Sequence, residues 1–173
     1  MAIKVIGVIL VLCGSSGLGW YMADRGRQHI QLLEELRKKL MLLKGEIVYG
    51  NSPLGEACAR VAAKSEGEFS SFFDAVSKRI EAQRGEPLYE IWKEETGKLD
   101  RNLPLSAEDK QQLEQFGEHL GYLNTEMQER TILLYLEQLE ESITYLKEHQ
   151  REKSRLYTSL GILGGVFLVI ILC

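Results

Sequence analysis

Three histidines and three cysteines, with a scatter of serines, are the side chains in this 173-residue sequence that could do chemistry. His29, His119 and His149 stand far apart, and none has the Glu-x-x-His spacing with which a di-iron helical bundle holds its metals. On charged helices, histidines of this kind are solvated side chains. Cys13 and Cys173 fall in apolar stretches and Cys58 in the apolar face of a predicted helix. No C-x-x-C site or disulfide framework links them, which fits a reducing compartment. Gly14, Gly17 and Gly19 tempt a phosphate-loop reading, but they sit inside an apolar segment with no strand before them. Ser70 and Ser71 have no predicted base nearby, and the carboxylates are scattered as helix-surface charges are. The sequence therefore assigns no catalytic, cofactor-binding or metal-binding residue, and the chain reads as a non-enzyme.

The positions of the charges say more than their chemistry. The net charge is −4, from 21 Lys and Arg against 25 Asp and Glu. Every acidic residue, and every basic one except Lys4, lies between Asp24 and Arg155. A charged, mildly acidic middle is thus flanked by two uncharged ends. No concentrated basic face is present, so nucleic acid is not an expected partner.

Both ends have the length and composition of membrane anchors. Val5 to Ala23 is free of charge and would reach about 28 Å as a helix, close to the roughly 30 Å of a bilayer's hydrocarbon core. Only Lys4 precedes it and no A-x-A-like cleavage site follows, so it reads as a retained anchor rather than a signal peptide. Trp20 and Tyr21 suit an interfacial aromatic belt, as does Tyr157 at the entrance to the second run. That run, Leu156 to Cys173, spans about 27 Å by the same arithmetic. The expected organisation is a transmembrane helix over residues 1–23, a cytoplasmic helical bundle over 24–155, and a second transmembrane helix over 156–173. Within the anchors, Ser15 with Gly19 and Gly161 with Gly165 form small-x-x-x-small steps, where helices can pack closely in lipid.

The middle is all α. Leu33, Leu36, Leu40, Leu43 and Ile47 repeat at three and four, with Leu32 widening the stripe. Ile132, Leu136, Leu139, Ile143 and Leu146 repeat in the same way on the last helix. Antiparallel pairing of the two long helices is the simplest way to bury both stripes; Glu34, Glu35 and Lys38 then form a solvated face. Four shorter helices lie between. Ser52 can cap the first of these and Pro53 suits its first position, and Leu54, Ala57, Cys58 and Val61 line one face. The second buries Phe69, Phe72, Phe73, Val76 and Ile80 and ends near Gly85. A third opens at Pro87 and carries Leu88, Ile91 and Trp92. Ser106 with Asp109 resembles a capping box at the start of the fourth, which buries Leu113, Phe116 and Leu120 and ends at Gly121. Asn124 can cap the last helix.

The two terminal anchors, Glu46-Ile47-Val48-Tyr49-Gly50 running into Ser52-Pro53-Leu54, Trp92, and Leu120-Gly121 followed by Gln128 together resemble the stage III sporulation protein AB family over essentially the whole length. Where that family usually carries an acidic residue this chain has Asn124, which keeps a cap and loses a charge. The helix start Ser52-Pro53-Leu54-Gly55-Glu56-Ala57 is also similar to the cytoplasmic F domain of type II secretion and type IV pilus platform proteins, a six-helix bundle. The resemblance implies a platform component of a secretion-like channel between mother cell and forespore, seated in the mother-cell membrane. It also implies contact with a secretion-type ATPase and with other membrane components of that channel, through the cytoplasmic bundle.

That reading places a contact surface at the turns far from the bilayer. Glu46, Tyr49 and Pro53 come from one turn, and Tyr122 and Asn124 from the other, with Gly50 and Gly121 supplying backbone freedom. A second reading belongs to another class: a membrane-anchored coiled-coil scaffold or signalling protein that homodimerises through its leucine stripes. The two differ over Phe69, Phe72, Phe73, Trp92 and Phe116, which a compact bundle buries and a plain coiled coil cannot use.

Topology follows from Arg25 and Arg27 after the first anchor and Arg151, Lys153 and Arg155 before the second. The positive-inside rule puts the middle in the cytoplasm and both termini outside. A Ser106→Cys variant is expected to resist a membrane-impermeant thiol reagent in intact cells and to react after permeabilisation. Ready labelling of intact cells would invert the orientation.

Overall fold

The computed structural model has six α-helices among its described residues: α1 (Ala2–Val48), α2 (Leu54–Lys64), α3 (Glu68–Glu81), α4 (Leu88–Lys98), α5 (Ala107–Leu120) and α6 (Thr125–Leu172). It describes the backbone of residues 2–172 apart from 65, 83–84, 100–102 and 122–123, and side chains only within 24–150. The all-α, six-helix reading of the sequence is thus met. Both expected anchors, with Trp20, Tyr21 and Tyr157, have side chains outside the described residues. Among the described residues, no helix is long and apolar enough to cross a membrane.

The chain forms two compact units. One joins Met1–Ile30 with Thr144–Cys173. There the Gln150 side chain of α6 reaches α1, its Nε2 lying 3.2 Å from where a Cβ on Gly26 would stand. Gln28 donates to Asp24 at 2.8 Å, and the Tyr145 and His149 rings lie 3.9 Å apart.

The other unit, Gln31–Ile143, holds the core. The α1 stripe of Leu33, Leu36, Leu40, Leu43 and Ile47 is buried throughout, and so are Ile132, Leu136, Leu139 and Ile143 of α6. A surface ion pair, Arg37 Nε to Glu140 at 2.7 Å, links these two helices. The four short helices fill the rest. α2 turns small residues inward, namely Gly55, Ala57 and Cys58 with Val61. A Cβ on Gly55 would come within 3.0 Å of Ile80 Cγ2, so glycine there allows α2 to approach α3 closely.

The ends of these helices are defined by local chemistry. Ser106 and Asp109 form a full capping box: the Asp109 N–H donates to Ser106 Oγ at 3.0 Å and the Ser106 N–H to Asp109 Oδ2 at 2.7 Å. Asn124 Oδ1 accepts from the Met127 N–H at 2.9 Å, as its position before α6 predicts. At α2 the Pro53 carbonyl accepts from the Ala57 N–H at 2.9 Å. Pro53 therefore stands just outside the helix rather than at its first position. α3 begins after Gly67, which has no side chain to cap with. The missing cap is supplied from α1, where Glu35 Oε1 accepts from the Phe69 N–H at 3.1 Å. Glu35 therefore departs from the expected solvated face, whereas Lys38 is exposed as expected. One turn further along α1, Lys39 is fully buried and donates to the Ser70 hydroxyl.

An aromatic series crosses the core from α3 to α6. Trp92 of α4 meets Phe72 and Phe73 of α3 edge-on at 5.0 and 6.0 Å between ring centroids, and Phe116 of α5 at 5.5 Å. Phe116 then stacks on Tyr135 of α6 at 4.8 Å. The indole N–H has a partner too, donating to the Leu113 carbonyl at 2.9 Å. Room for the indole comes from Gly117, because a Cβ there would overlap Trp92 Cβ, Cγ and Cδ1.

Gly117→Ala should therefore destabilise the protein by about 1–3 kcal/mol, the usual cost of overpacking a rigid core. Gly97→Ala, also in a helix but with nothing within 4 Å of the added Cβ, should be neutral or stabilising by about 0.5–1 kcal/mol. Thermal melts followed by circular dichroism separate the two; equal midpoints would remove the packing argument.

Candidate interaction surface

Of the residues expected to form a contact surface, Pro53 lines a groove, and Gly121 of the second turn lines the same one. Pro53, from the α1–α2 connection, and Gly121, at the end of α5, both line an open cavity of about 280 Å³. Ile80, Leu88 and Ile91 supply apolar walls, and Arg79 and Gln128 the polar ones.

Each wall has its own cause. Gly50 and Gly121 do not work through backbone freedom, as the sequence reading has it. The left-handed residue of the first turn is Asn51, at φ 46°, a residue type that tolerates this conformation. Gly121 has an ordinary right-handed backbone at φ −77°, and its missing side chain makes room for Leu88, whose Cβ would lie 3.1 Å from an added Cβ. Gly50 avoids a clash with the Glu46 carbonyl oxygen, which an added Cβ would meet at 2.6 Å. Gln128 ties α6 back to α5, its Nε2 donating to the Leu120 carbonyl at 3.3 Å.

Two ion clusters hold the neighbourhood. Glu46, on the last turn of α1, is buried and bound by Arg60 at 3.1 Å and by Lys64, both from α2. The Lys64 bond holds its carboxyl below the ordinary glutamate range against the opposing effect of burial, and Arg60 adds to it. Arg60 also pairs with Glu56 at 2.6 Å. Arg79 on α3 donates to Glu86 at 2.5 Å, to Glu94 at 2.7 Å and to Glu95 at 3.0 Å, which raises its already high pKa, Glu86 most of all. Burial pushes the Glu95 carboxyl up, but the bonds from Lys98 at 2.6 Å and from Arg79 outweigh that and leave it lowered.

The expected contact residues are thus placed differently from one another. Tyr49 is 82 % exposed, with nothing of the core to hold it, and Pro53 is exposed at the groove. Glu46 is turned inward to its cations, and Asn124 is exposed with its side chain engaged in the α6 cap. Tyr122 lies outside the described residues. So do the side chains of Ser15, Gly19, Gly161 and Gly165, which the sequence assigns to packing in lipid. Sequence reasoning missed Arg79 and Gln128 as groove residues, since neither belongs to a periodic pattern that would single it out.

Ser70, for which the sequence offers no base, meets the Lys39 ammonium, and neither residue lines the groove. Burial pushes the Cys58 thiol up to about 12, so it stays protonated and unreactive. Buried Lys39 is lowered by desolvation, partly opposed by Glu35. Among the described residues no group of three or more His, Cys, Asp or Glu side chains could hold a metal ion.

The model of the stage III sporulation protein AB family matches residues 4–173 of this chain. Over 170 residues the chain is 28% identical to the stage III sporulation protein AB of Bacillus subtilis strain 168, covering 98% of this chain and 99% of that relative. A solved structure of a stage III sporulation protein AB matches the fold with a TM-score of 0.65 at 28% identity, covering 72% of this chain and 98% of that one.

The clamp on Glu46 has a pH signature. Its folded-state carboxyl titrates lower than its unfolded one, so its stabilisation is complete above the unfolded value and fades as pH falls through the folded value. Glu46→Gln removes that contribution and should give a melting temperature that falls less steeply between neutral pH and pH of about 3.5. Parallel acid profiles for the two proteins would show that the clamp is not formed in solution.

Proposed function

Because this chain belongs to the stage III sporulation protein AB family, we propose that it serves sporulation as a membrane-anchored, non-enzymatic platform. In this reading the apolar ends, residues 1–23 and 156–173, hold it in the mother-cell membrane around the forespore. The helical bundle between them faces the cytoplasm. There it engages a secretion-type ATPase and couples it to the other membrane components of a channel between the two cells. The solved relative, matched over 98% of its length, supports the fold on which this reading rests. The observation that supports the contact is that one residue of each turn segment, Pro53 and Gly121, lines a common groove, four residues from the protruding Tyr49.

The alternative, a coiled-coil scaffold that dimerises by its leucine stripes, is less well supported. Those stripes are buried within one chain, as are Phe69, Phe72, Phe73, Trp92 and Phe116. A stripe consumed by its own bundle has nothing left for a second copy.

Tyr49→Ala is expected to lower recovery of the ATPase with this protein from sporulating cells by about tenfold, the scale of losing one aromatic anchor. The melting temperature should not move, since the ring touches no core. Glu46→Lys, in contrast, should lower both together, because it places a third cation in the Arg60–Lys64 clamp. Undiminished recovery with Tyr49→Ala would move the contact away from this turn.

A further inference from the structure

α6 carries a second surface that the bundle does not use. Its buried side is accounted for by Ile132, Tyr135, Leu136, Leu139 and Ile143. On the opposite side Met127, Leu133 and Leu134 remain 45 %, 45 % and 57 % exposed. At about 100° per residue, Met127 and Leu134 lie within about 20° of one another, with Leu133 about 100° further round. Arg130, Glu137 and Glu141 fall between Leu134 and Leu133, so the apolar and charged residues share one face. From Met127 to Glu141 that face is about 21 Å long.

Its charge selects what can cover it. The stretch 125–143 holds five carboxylates, Glu126, Glu129, Glu137, Glu140 and Glu141, against the single cation Arg130. Glu140 is already matched by Arg37. Glu126, Glu137 and Glu141 are exposed and have no cationic partner among the described residues. An anionic bilayer or a nucleic acid would be repelled by such a face. A second copy meeting it face to face would set carboxylates against carboxylates. A basic amphipathic helix fits, because its apolar side would cover the leucines while its Lys or Arg residues reach the flanking glutamates.

We propose that this face of α6 is a docking site for a basic amphipathic helix of a partner protein, about four turns long. The inference needs neither the ATPase nor the groove, so it stands or falls apart from the platform reading.

The test uses the full chain in a non-ionic detergent, with empty micelles as the blank. Two labelled 15-residue helical peptides serve as probes, one built of Leu and Lys and the other of Leu and Glu. The intact chain should bind the Leu/Lys helix and not the Leu/Glu helix. Joint replacement Glu137→Lys with Glu141→Lys should weaken Leu/Lys binding about tenfold or more and confer binding of the Leu/Glu helix. Leu133→Ser with Leu134→Ser should weaken it by a similar factor with the charge unchanged. Glu108→Lys with Glu118→Lys, exposed on α5, should leave it as it was. All these side chains are exposed, and melting curves check that each variant keeps the fold. The proposal is overturned if the preference fails to reverse, if the serine variant binds as well as the intact chain, or if the α5 variant loses as much as the α6 one. It is equally overturned if the leucine substitutions dissolve a dimer of the intact chain, since a second copy would then be the occupant.

Discussion

The packing of Trp92 against Gly117 is the constraint on which the bundle depends. The indole occupies the volume where a side chain on α5 would be, so α4 and α5 can approach only because one position carries no Cβ. From that contact the ring reaches both neighbours, meeting Phe72 and Phe73 on one side and Phe116 on the other. Phe116 in turn stacks on Tyr135, so four helices are registered through one side chain and its immediate contacts. The indole N–H would be costly to bury unpaired, and the Leu113 carbonyl meets it one turn before Gly117. Edge-to-face geometry makes this register specific, since sliding any of the four helices by a residue would lose ring contacts, and sliding α4 or α5 would lose the hydrogen bond as well.

What the sequence made legible is what periodicity and end signals encode. The α1 stripe from Leu33 to Ile47 is buried as its spacing requires, because an amphipathic helix has one way to hide its leucines. The Ser106–Asp109 box and the Asn124 cap were readable because capping works over three residues. Glu35 was not readable as a cap, since its acceptor role is for a helix 34 residues away. Lys39 misleads for the opposite reason. A lysine on a charged helix implies solvent, yet its ammonium finds the Ser70 hydroxyl inside the bundle. Gly117 was invisible as well, since a glycine in a helix has no pattern and its meaning lies in the Trp92 ring.

The groove shows the same division. Gly50, Asn51 and Gly121 mark turns in any sequence, but which of them needs its special chemistry is a matter of geometry. Asn51 takes the left-handed backbone, while Gly50 and Gly121 provide clearance. Meeting of the two turns at Pro53 and Gly121 follows from tertiary packing of α2 against α3 and of α4 against α5. Order along the chain could place both turns at one end of a bundle but could not say that they form one cavity.

The ion clusters then explain how such an end stays in shape. Connections are the least packed parts of a bundle, yet here two of them are fastened by charged groups with several partners. Glu46 holds α1 to α2 through Arg60 and Lys64, and Arg79 holds α3 to the connection at Glu86 and to α4 at Glu94 and Glu95. Single exposed ion pairs contribute little, but a carboxylate with two cations, or a guanidinium with three carboxylates, keeps its geometry when one contact breaks. Clamps of this kind do more for preorganisation than for stability, and Arg79 and Glu86 of the second one themselves line the groove. Tyr49 is the exception, an aromatic ring left free on a fastened turn. A rigid base with one protruding ring lowers the ordering cost of binding to that of a single side chain, and this is the physical reason for proposing a contact at this end of the bundle.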